Sequence, residues 1–186
     1  MNQNATSRHD RVVFLDRDGV INSEPPPPGW VLRWEDFRFA DGALAALRRL
    51  RENGFTVVVV TNQSCVSRGL ATFESIQALM DKLAATVAEA GGELARVYWC
   101  PHVDDDQCDC RKPKAGMLER AERELGVRAD RAFLVGDRDT DIQMGASKGC
   151  TTLLVDLGVA TALDKADYVV GSLAEAVDQI LTLVDG

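Results

Sequence analysis

The 186-residue sequence contains no apolar run near the roughly 20 residues that a membrane-spanning helix requires. Its opening, MNQNATSRHDR, is polar and lacks the apolar stretch of a secretory leader, so a cytoplasmic protein is expected. Aromatic residues are few, at 6%, and bases are outnumbered, with 21 Lys and Arg against 29 Asp and Glu. A net charge of −8 with no concentrated basic stretch speaks against nucleic-acid binding and against a membrane-surface partner. Histidine occurs twice and cysteine five times. An odd, clustered set of cysteines without a leader argues for a metal site rather than a disulfide framework. What is present fits a soluble globular fold: 46% hydrophobic and 27% charged residues exclude disordered, collagenous and coiled-coil classes. The length suits one domain, expected over residues 11–186 behind a loose tail at 1–10.

Strand and helix signals alternate along the chain. RVVFLD (11–16) is a continuous apolar run ending in acid, as a buried parallel strand should be. Pro25 to Pro28 read as an extended loop. A helix is expected from Asp41 to Gly54, with Leu44, Leu47 and Leu50 on one face. FTVVVV (55–60) is the strongest strand signal. Further helices are expected near 72–90, 115–125, 139–148 and 172–184, and strands at 96–100, 132–136, 151–156 and 167–170. This alternation means βαβ units: an α/β, three-layer, Rossmann-like fold with a mostly parallel sheet and helices on both faces. Ligands of such sheets bind beyond the carboxyl ends of the strands.

The residues just past those strands carry the chemistry. They are Asp16 and Asp18, Thr61 and Asn62, Cys100, then Asp137 and Asp141, with Lys112 on the loop between. Carboxylates gathered on one edge repel one another unless a cation joins them. A few hard oxygen donors beside a phosphate suit Mg²⁺, expected on Asp16, Asp18 and Asp137, with Asp141 orienting its waters. In FLDRDGVIN, Asp16 on a rigid strand end suits a nucleophile. Asp18 suits a general acid and then base, and Gly19 permits a tight backbone turn.

Aspartate-x-aspartate-glycine after a buried strand, VVVVTNQS, RKP (111–113) and LVGDRDTD occur in the order of the four motifs of the haloacid dehalogenase superfamily, which this sequence resembles. The resemblance implies an aspartyl-phosphate on Asp16. It assigns phosphate binding to Thr61, the bridging positive charge to Lys112 and metal binding to Asp137. Asn62 and Gln63 of the second motif are expected to bind substrate. Intact Asp16, Asp18, Lys112 and Asp137 argue against a catalytically silent phosphate binder; a receiver-like domain, which also pairs an acidic cluster with Lys, would need neither the cysteine-rich loop at 100–110 nor Asp18 at that spacing.

The loop CPHVDDDQCDCRKP places Cys100, His102, Cys108 and Cys110 in a C-x-H-x5-C-x-C array, a closed four-donor set expected to hold structural Zn²⁺. A zinc loop ahead of RKP is similar to the capless branch that includes heptose 1,7-bisphosphate 7-phosphatases and histidinol-phosphate phosphatases. TNQSxxxRG with Arg68 and RKPxxGM resemble the former, whereas SEPPPP and GDRxTDIQ resemble the latter. Arg68 and Arg111 would bind the second phosphate of a bisphosphate through charge-assisted hydrogen bonds. The implied function is a Mg²⁺-dependent phosphomonoesterase acting on a small phosphorylated sugar or polyol, foremost the heptose bisphosphate, as a monomer. Cys65 stands where the heptose pattern has glycine. It is expected to be partly exposed in the binding loop, and Cys150 to be a core residue. Trp30, Trp34 and Phe37 are expected to pin the proline-rich loop, and Asp104 to Asp106 to form a solvated loop tip.

Overall fold

A computed structural model describes residues 11–24, 29–158 and 165–185. The expected tail at 1–10 and the Pro25–Pro28 segment lie outside the described residues. The elements are β1 (Val12–Leu15), α1 (Ala43–Glu52), β2 (Thr56–Asn62), α2 (Phe73–Glu89), β3 (Arg96–Cys100), α3 (Gly116–Leu125), β4 (Phe133–Gly136), α4 (Asp139–Ser147), β5 (Thr151–Val155), β6 (Tyr168–Val170) and α5 (Leu173–Asp185). All fall within two residues of the spans expected from the pattern.

The six strands form one sheet in the order β3-β2-β1-β4-β5-β6, and all five pairings are parallel. The strand side chains sort by parity. Val13, Leu15, Val57 and Val59 pack with α1, α2 and α5, whereas Val12, Phe14, Val58 and Val60 pack with α3 and Met144 of α4. Burial on both faces explains why β1 and β2 are apolar without alternation. Local signals set the helix ends. Thr72 caps α2 by accepting from the Ser75 amide, and Ser75 Oγ accepts from the Thr72 amide in return. Gly126, left-handed at φ 67°, closes α3.

The chain steps outward from β1 to β3 and then returns to place β4 on the other side of β1. The reversal between β1 and β4 opens a crevice at the carboxyl ends of the strands. The connections that face it, residues 16–24 and 29–42 after β1 and 63–72 after β2, are loops with one 3-10 turn at Trp34–Asp36. Among the described residues they add no further folded unit above the sheet. No helix there is long and apolar enough to cross a membrane.

Candidate active site

Adjacent strands deliver the first two carboxylates. Leu15 of β1 pairs with Val135 of β4, so Asp16 and Asp137 emerge beside each other. The Asp16 amide donates to Val135 O at 2.9 Å, extending that pairing. Asp141 joins them from the first turn of α4, where its Oδ2 accepts from the Arg138 amide at 3.1 Å. The carboxylates of Asp16, Asp137 and Asp141 come within 4.8 Å of one another, and all three are buried. Gly19 makes this approach possible. It is left-handed at φ 80°, and a Cβ there would run into the Asp137 carboxylate.

Lys112 enters from the loop after β3 and is 3% exposed. Its three ammonium protons have three acceptors: Val60 O at 3.2 Å, Asp16 Oδ1 at 2.9 Å and Asp141 Oδ1 at 2.5 Å. Burial draws the lysine pKa down, but Asp141 and Asp16 outweigh it and hold the group charged. One lysine does not balance three acids. Burial, with Asp16 and Asp141 beside it, pushes the Asp137 pKa up to about 8. Burial lifts Asp141 to about 6 against the pull of Lys112. Neither oxygen of Asp137 has a hydrogen-bond partner among the described residues. A buried carboxylate with no hydrogen bond, whose ion-pair partner Arg138 Nε stands 3.7 Å away, fits a cation ligand.

Asp16 Oδ1 accepts from both the Arg17 amide, at 2.7 Å, and Lys112. The backbone of Lys112 is stapled by Asn62, which accepts from its amide at 3.1 Å and donates to its carbonyl at 3.3 Å. Thr61, near the end of β2, lines the same cavity as Asp16 and Lys112. That cavity, about 490 Å³, also includes Asp18, Asn62, Trp30, Arg68, Arg111 and Arg138. A larger one, about 930 Å³ along β3 between α2 and α3, touches none of the carboxylates named here.

Several expectations need correction. The Asp18 carboxylate is not part of the three-acid cluster. Burial raises its pKa, but the Arg17 guanidinium, Asn22 and Gln63 hold it below the usual carboxylate value. Its side-chain oxygens face those donors rather than the cluster. Asp141, expected behind the metal's waters, stands in the cluster itself. Gln63 is fully buried and does not line the cavity; it bonds Asp18 at 2.9 Å and Thr61 at 3.1 Å. Cys65 is also fully buried, packed in the core below its loop. The expected parallel sheet, by contrast, is present, with all five described pairings parallel.

The second cluster lies on the loop after β3. Ligand atoms of Cys100, His102, Cys108 and Cys110 lie within 4.8 Å of one another. The measured edges are 3.6 Å for Cys100–Cys108 and Cys108–Cys110, 3.1 Å for Cys100–Cys110, and 3.6 and 3.4 Å from His102 Nδ1 to Cys100 and Cys110. This loop is tied to the active-site loop. Gln63 and Ser67 amides donate to Cys100 O and Pro101 O, and Ser67 Oγ donates to Asp106. It also fixes Arg111, whose Nε donates to Asp104 at 2.7 Å and Nη1 to His102 O at 3.2 Å. The Asp104–Asp106 tip is a short 3-10 turn exposed to solvent, as expected, with Asp104 held to Arg111 and Asp106 to Ser67. Arg68 stacks over Trp30 at 5.6 Å. Trp34 and Phe37 stack on each other, with Phe37 buried; the proline segment they are expected to pin lies outside the described residues.

Two residues escaped the sequence reading. Arg17 has no role in the sequence analysis, yet it is wholly buried. The signal was a cation inside an otherwise apolar-to-acidic strand end. Arg138 caps α4, lines the cavity and pairs with Glu24. Only the tertiary approach of the first loop to α4 reveals it.

Comparison with known proteins agrees with this geometry. Residues 109–176 match the family model described as HAD-hydrolase-like. The chain is 38% identical over 175 residues to the D-glycero-beta-D-manno-heptose-1,7-bisphosphate 7-phosphatase of Yersinia pestis, covering 88% of this chain and 91% of that one. It is 36% identical over 181 residues to the enzyme of the same name from Haemophilus ducreyi, covering 91% and 98%. The crystal structure of D,D-heptose 1,7-bisphosphate phosphatase from B. bronchiseptica, complexed with magnesium and phosphate, superposes with a TM-score of 0.84 at 33% identity, covering 93% and 99%. With this likeness spanning both clusters and nearly all of the sheet, the chain is a phosphatase of the HAD superfamily and belongs to the heptose-1,7-bisphosphate 7-phosphatase family.

Proposed function

We propose that the enzyme removes the 7-phosphate of D-glycero-D-manno-heptose 1,7-bisphosphate through an aspartyl-phosphate on Asp16. The observation that carries this is one cavity holding both a reaction centre and a surplus of arginines. Asp16 and Lys112 lie at its buried end, and Arg68, Arg111 and Arg138 also line it. Three guanidiniums beyond the reacting group suit a substrate with a second phosphate. Histidinol phosphate has a single phosphate and a cationic amine, and the same arginines would repel that amine. The names of the curated relatives specify the beta anomer, which makes it the first to test.

Asp16 Oδ1 is anchored by Lys112 and the Arg17 amide, and Oδ2 is the oxygen that attacks phosphorus. Lys112 draws nucleophile and phosphoryl group together while neutralising one of them. Thr61 and nearby amides bind the equatorial oxygens, where transition-state charge resides. As the phosphorus–oxygen ester bond breaks, Asp18, freed from its resting donors and protonated from solvent or by the water of the preceding turnover, gives that proton to the leaving sugar oxygen. Water then attacks the aspartyl-phosphate, Asp18 takes its proton, and Asp16 is regenerated with release of inorganic phosphate. Asp16, Asp137 and Asp141 would hold Mg²⁺, which when bound offsets their mutual repulsion and the phosphoryl charge. The Asp137 oxygens, with no hydrogen bond among the described residues, fit that role.

Cys100, His102, Cys108 and Cys110 would hold Zn²⁺. Tetrahedral zinc with sulfur at about 2.3 Å and nitrogen at about 2.05 Å requires ligand–ligand edges of about 3.5–3.8 Å. Three of the five edges are 3.6 Å, His102–Cys110 is 3.4 Å and Cys100–Cys110 is shorter at 3.1 Å, so the donor set is close to that geometry. Four protein donors close the site to substrate. Its contribution is structural, holding His102 O and Asp104 in place as partners of Arg111.

The test is kcat/KM with Mg²⁺ for both anomers of the heptose bisphosphate against histidinol phosphate. The bisphosphate should be favoured by at least about tenfold. Equal values, or preference for histidinol phosphate, would overturn the substrate assignment.

A further inference from the structure

Arg17 is the largest of the fully buried side chains and lies between the two aspartates of the first motif. Its single residue ties both of them. The amide donates to Asp16 Oδ1 at 2.7 Å, and the guanidinium turns the other way onto Asp18. There it forms a fork, with Nε to Oδ1 at 3.1 Å and Nη2 to Oδ1 at 2.7 Å and to Oδ2 at 2.8 Å. The remaining nitrogen, Nη1, meets only the sulfur of Met80 on α2, at 4.0 Å. A fully buried guanidinium with one carboxylate partner among the described residues is tolerated only while that pairing lasts.

The Asp18 carboxylate is correspondingly full. Besides the fork, Oδ1 accepts from Asn22 Nδ2 and Oδ2 from Gln63 Nε2, each at 2.9 Å. A carboxylate offers about four lone-pair sites, and here five donated contacts converge on them. Both amides leave their own carbonyl oxygens without a partner, so the carboxylate sets their orientation and not the reverse. In this arrangement no oxygen of Asp18 has a lone pair left to carry a proton toward a leaving group or to accept one from water. One donor must let go first, and Arg17 supplies three of the five contacts.

We propose that Arg17 is a positioning residue that latches the Asp18 carboxylate in a saturated resting arrangement, from which one oxygen is released to perform proton transfer. This rests on the acid–base role given to Asp18 above. Arg17 touches neither substrate nor phosphorus. It sets where Asp18 rests and how far it swings, and the proton still moves between Asp18 and the sugar oxygen or water.

A double-mutant cycle in the full-length, Mg²⁺-loaded enzyme separates this from a packing role. Asp18→Asn should lower kcat on the sugar phosphate by about 10²–10⁴-fold, the range of a lost acid–base group. Arg17→Lys, which keeps charge and stem but not the fork, and Arg17→Gln should each lower it about 10- to 10²-fold, with KM little changed. The loss should be smaller for p-nitrophenyl phosphate, whose leaving group departs without a proton. In the Asp18→Asn background, the Arg17 substitutions should have almost no further effect. An Arg17 effect of equal size in both backgrounds would show a packing role and overturn the proposal. So would wild-type kcat in Arg17→Lys. Should Arg17→Gln fail the thermal-melt check for folding, the cycle is decided on Arg17→Lys alone. An unchanged kcat in Asp18→Asn by itself would instead overturn the acid–base reading, and the latch with it.

Discussion

The molecule contains two clusters of metal-competent side chains built on opposite principles. The Cys/His cluster is local: four donors occur within eleven residues, and a loop after one strand folds them together. The carboxylate cluster is assembled at a distance. Asp16 and Asp137 come from neighbouring strands and Asp141 from a helix, and Lys112 is inserted between them. Their electrostatics differ as well. A thiol without a cation can stay protonated at modest cost, whereas three buried carboxylates with one lysine are in conflict, visible in the raised pKa of Asp137. The first cluster should therefore stabilise the fold and the second should strain it, which is a common division between scaffold and active site.

Three outcomes would break or sharpen that contrast. The largest concerns chemistry. Asp16→Asn should lower Mg²⁺-dependent phosphate release by more than about 10³-fold while leaving metal bound at the cysteines, and activity at the native rate would remove Asp16 as nucleophile. Next is stability. The native chain should contain about one equivalent of zinc, and Cys108→Ser should lose it along with at least about 2 kcal/mol. That loss corresponds to roughly 4–8 °C in melting temperature for a chain of this size, and metal analysis of the native protein showing none would refute the site.

The smallest effect carries the opposite sign. Asp137→Asn should weaken activation by Mg²⁺ yet raise the melting temperature of the Mg²⁺-free protein by a few degrees, because a repelling charge is gone. The pH dependence follows from the same group. Its folded pKa, about 8, lies above the unfolded carboxylate value, so the neutral form is favoured in the fold. Its stabilising contribution is present at low pH and is lost as pH rises through about 8. Asp141, at about 6, acts in the same direction at lower pH. Melting temperature without Mg²⁺ should thus fall between about pH 4 and pH 8, and both Mg²⁺ and Asp137→Asn should flatten the curve. A rise over that interval would contradict the strained-cluster description.

Much of this was legible in the sequence because the information is short-range. Apolar runs such as FTVVVV mark strands buried on both faces, and Gly126 and Thr72 mark helix ends through local backbone geometry. The cysteine spacing alone identifies a four-donor loop. Motif order places Asp16, Thr61, Lys112 and Asp137 at one sheet edge, since parallel βαβ units point their carboxyl ends the same way. Side-chain direction is another matter. Whether Asp18 faces the cation or Arg17, whether Gln63 lines the cavity or lies beneath it, and whether Arg111 is free or held by Asp104 all depend on neighbours far along the chain.

The sequence by itself thus determined the sheet, the cysteine loop and the list of reacting groups, because periodicity, spacing and turn chemistry act over a few residues. Only the tertiary structure decided how those groups are charged and aimed. Burial and the partners brought in from other strands, Met80 beneath Arg17, Val60 O beneath Lys112 and Asp141 beside Asp137, set which carboxylate strains and which is saturated. Those energies depend on distance in space, which no local pattern encodes.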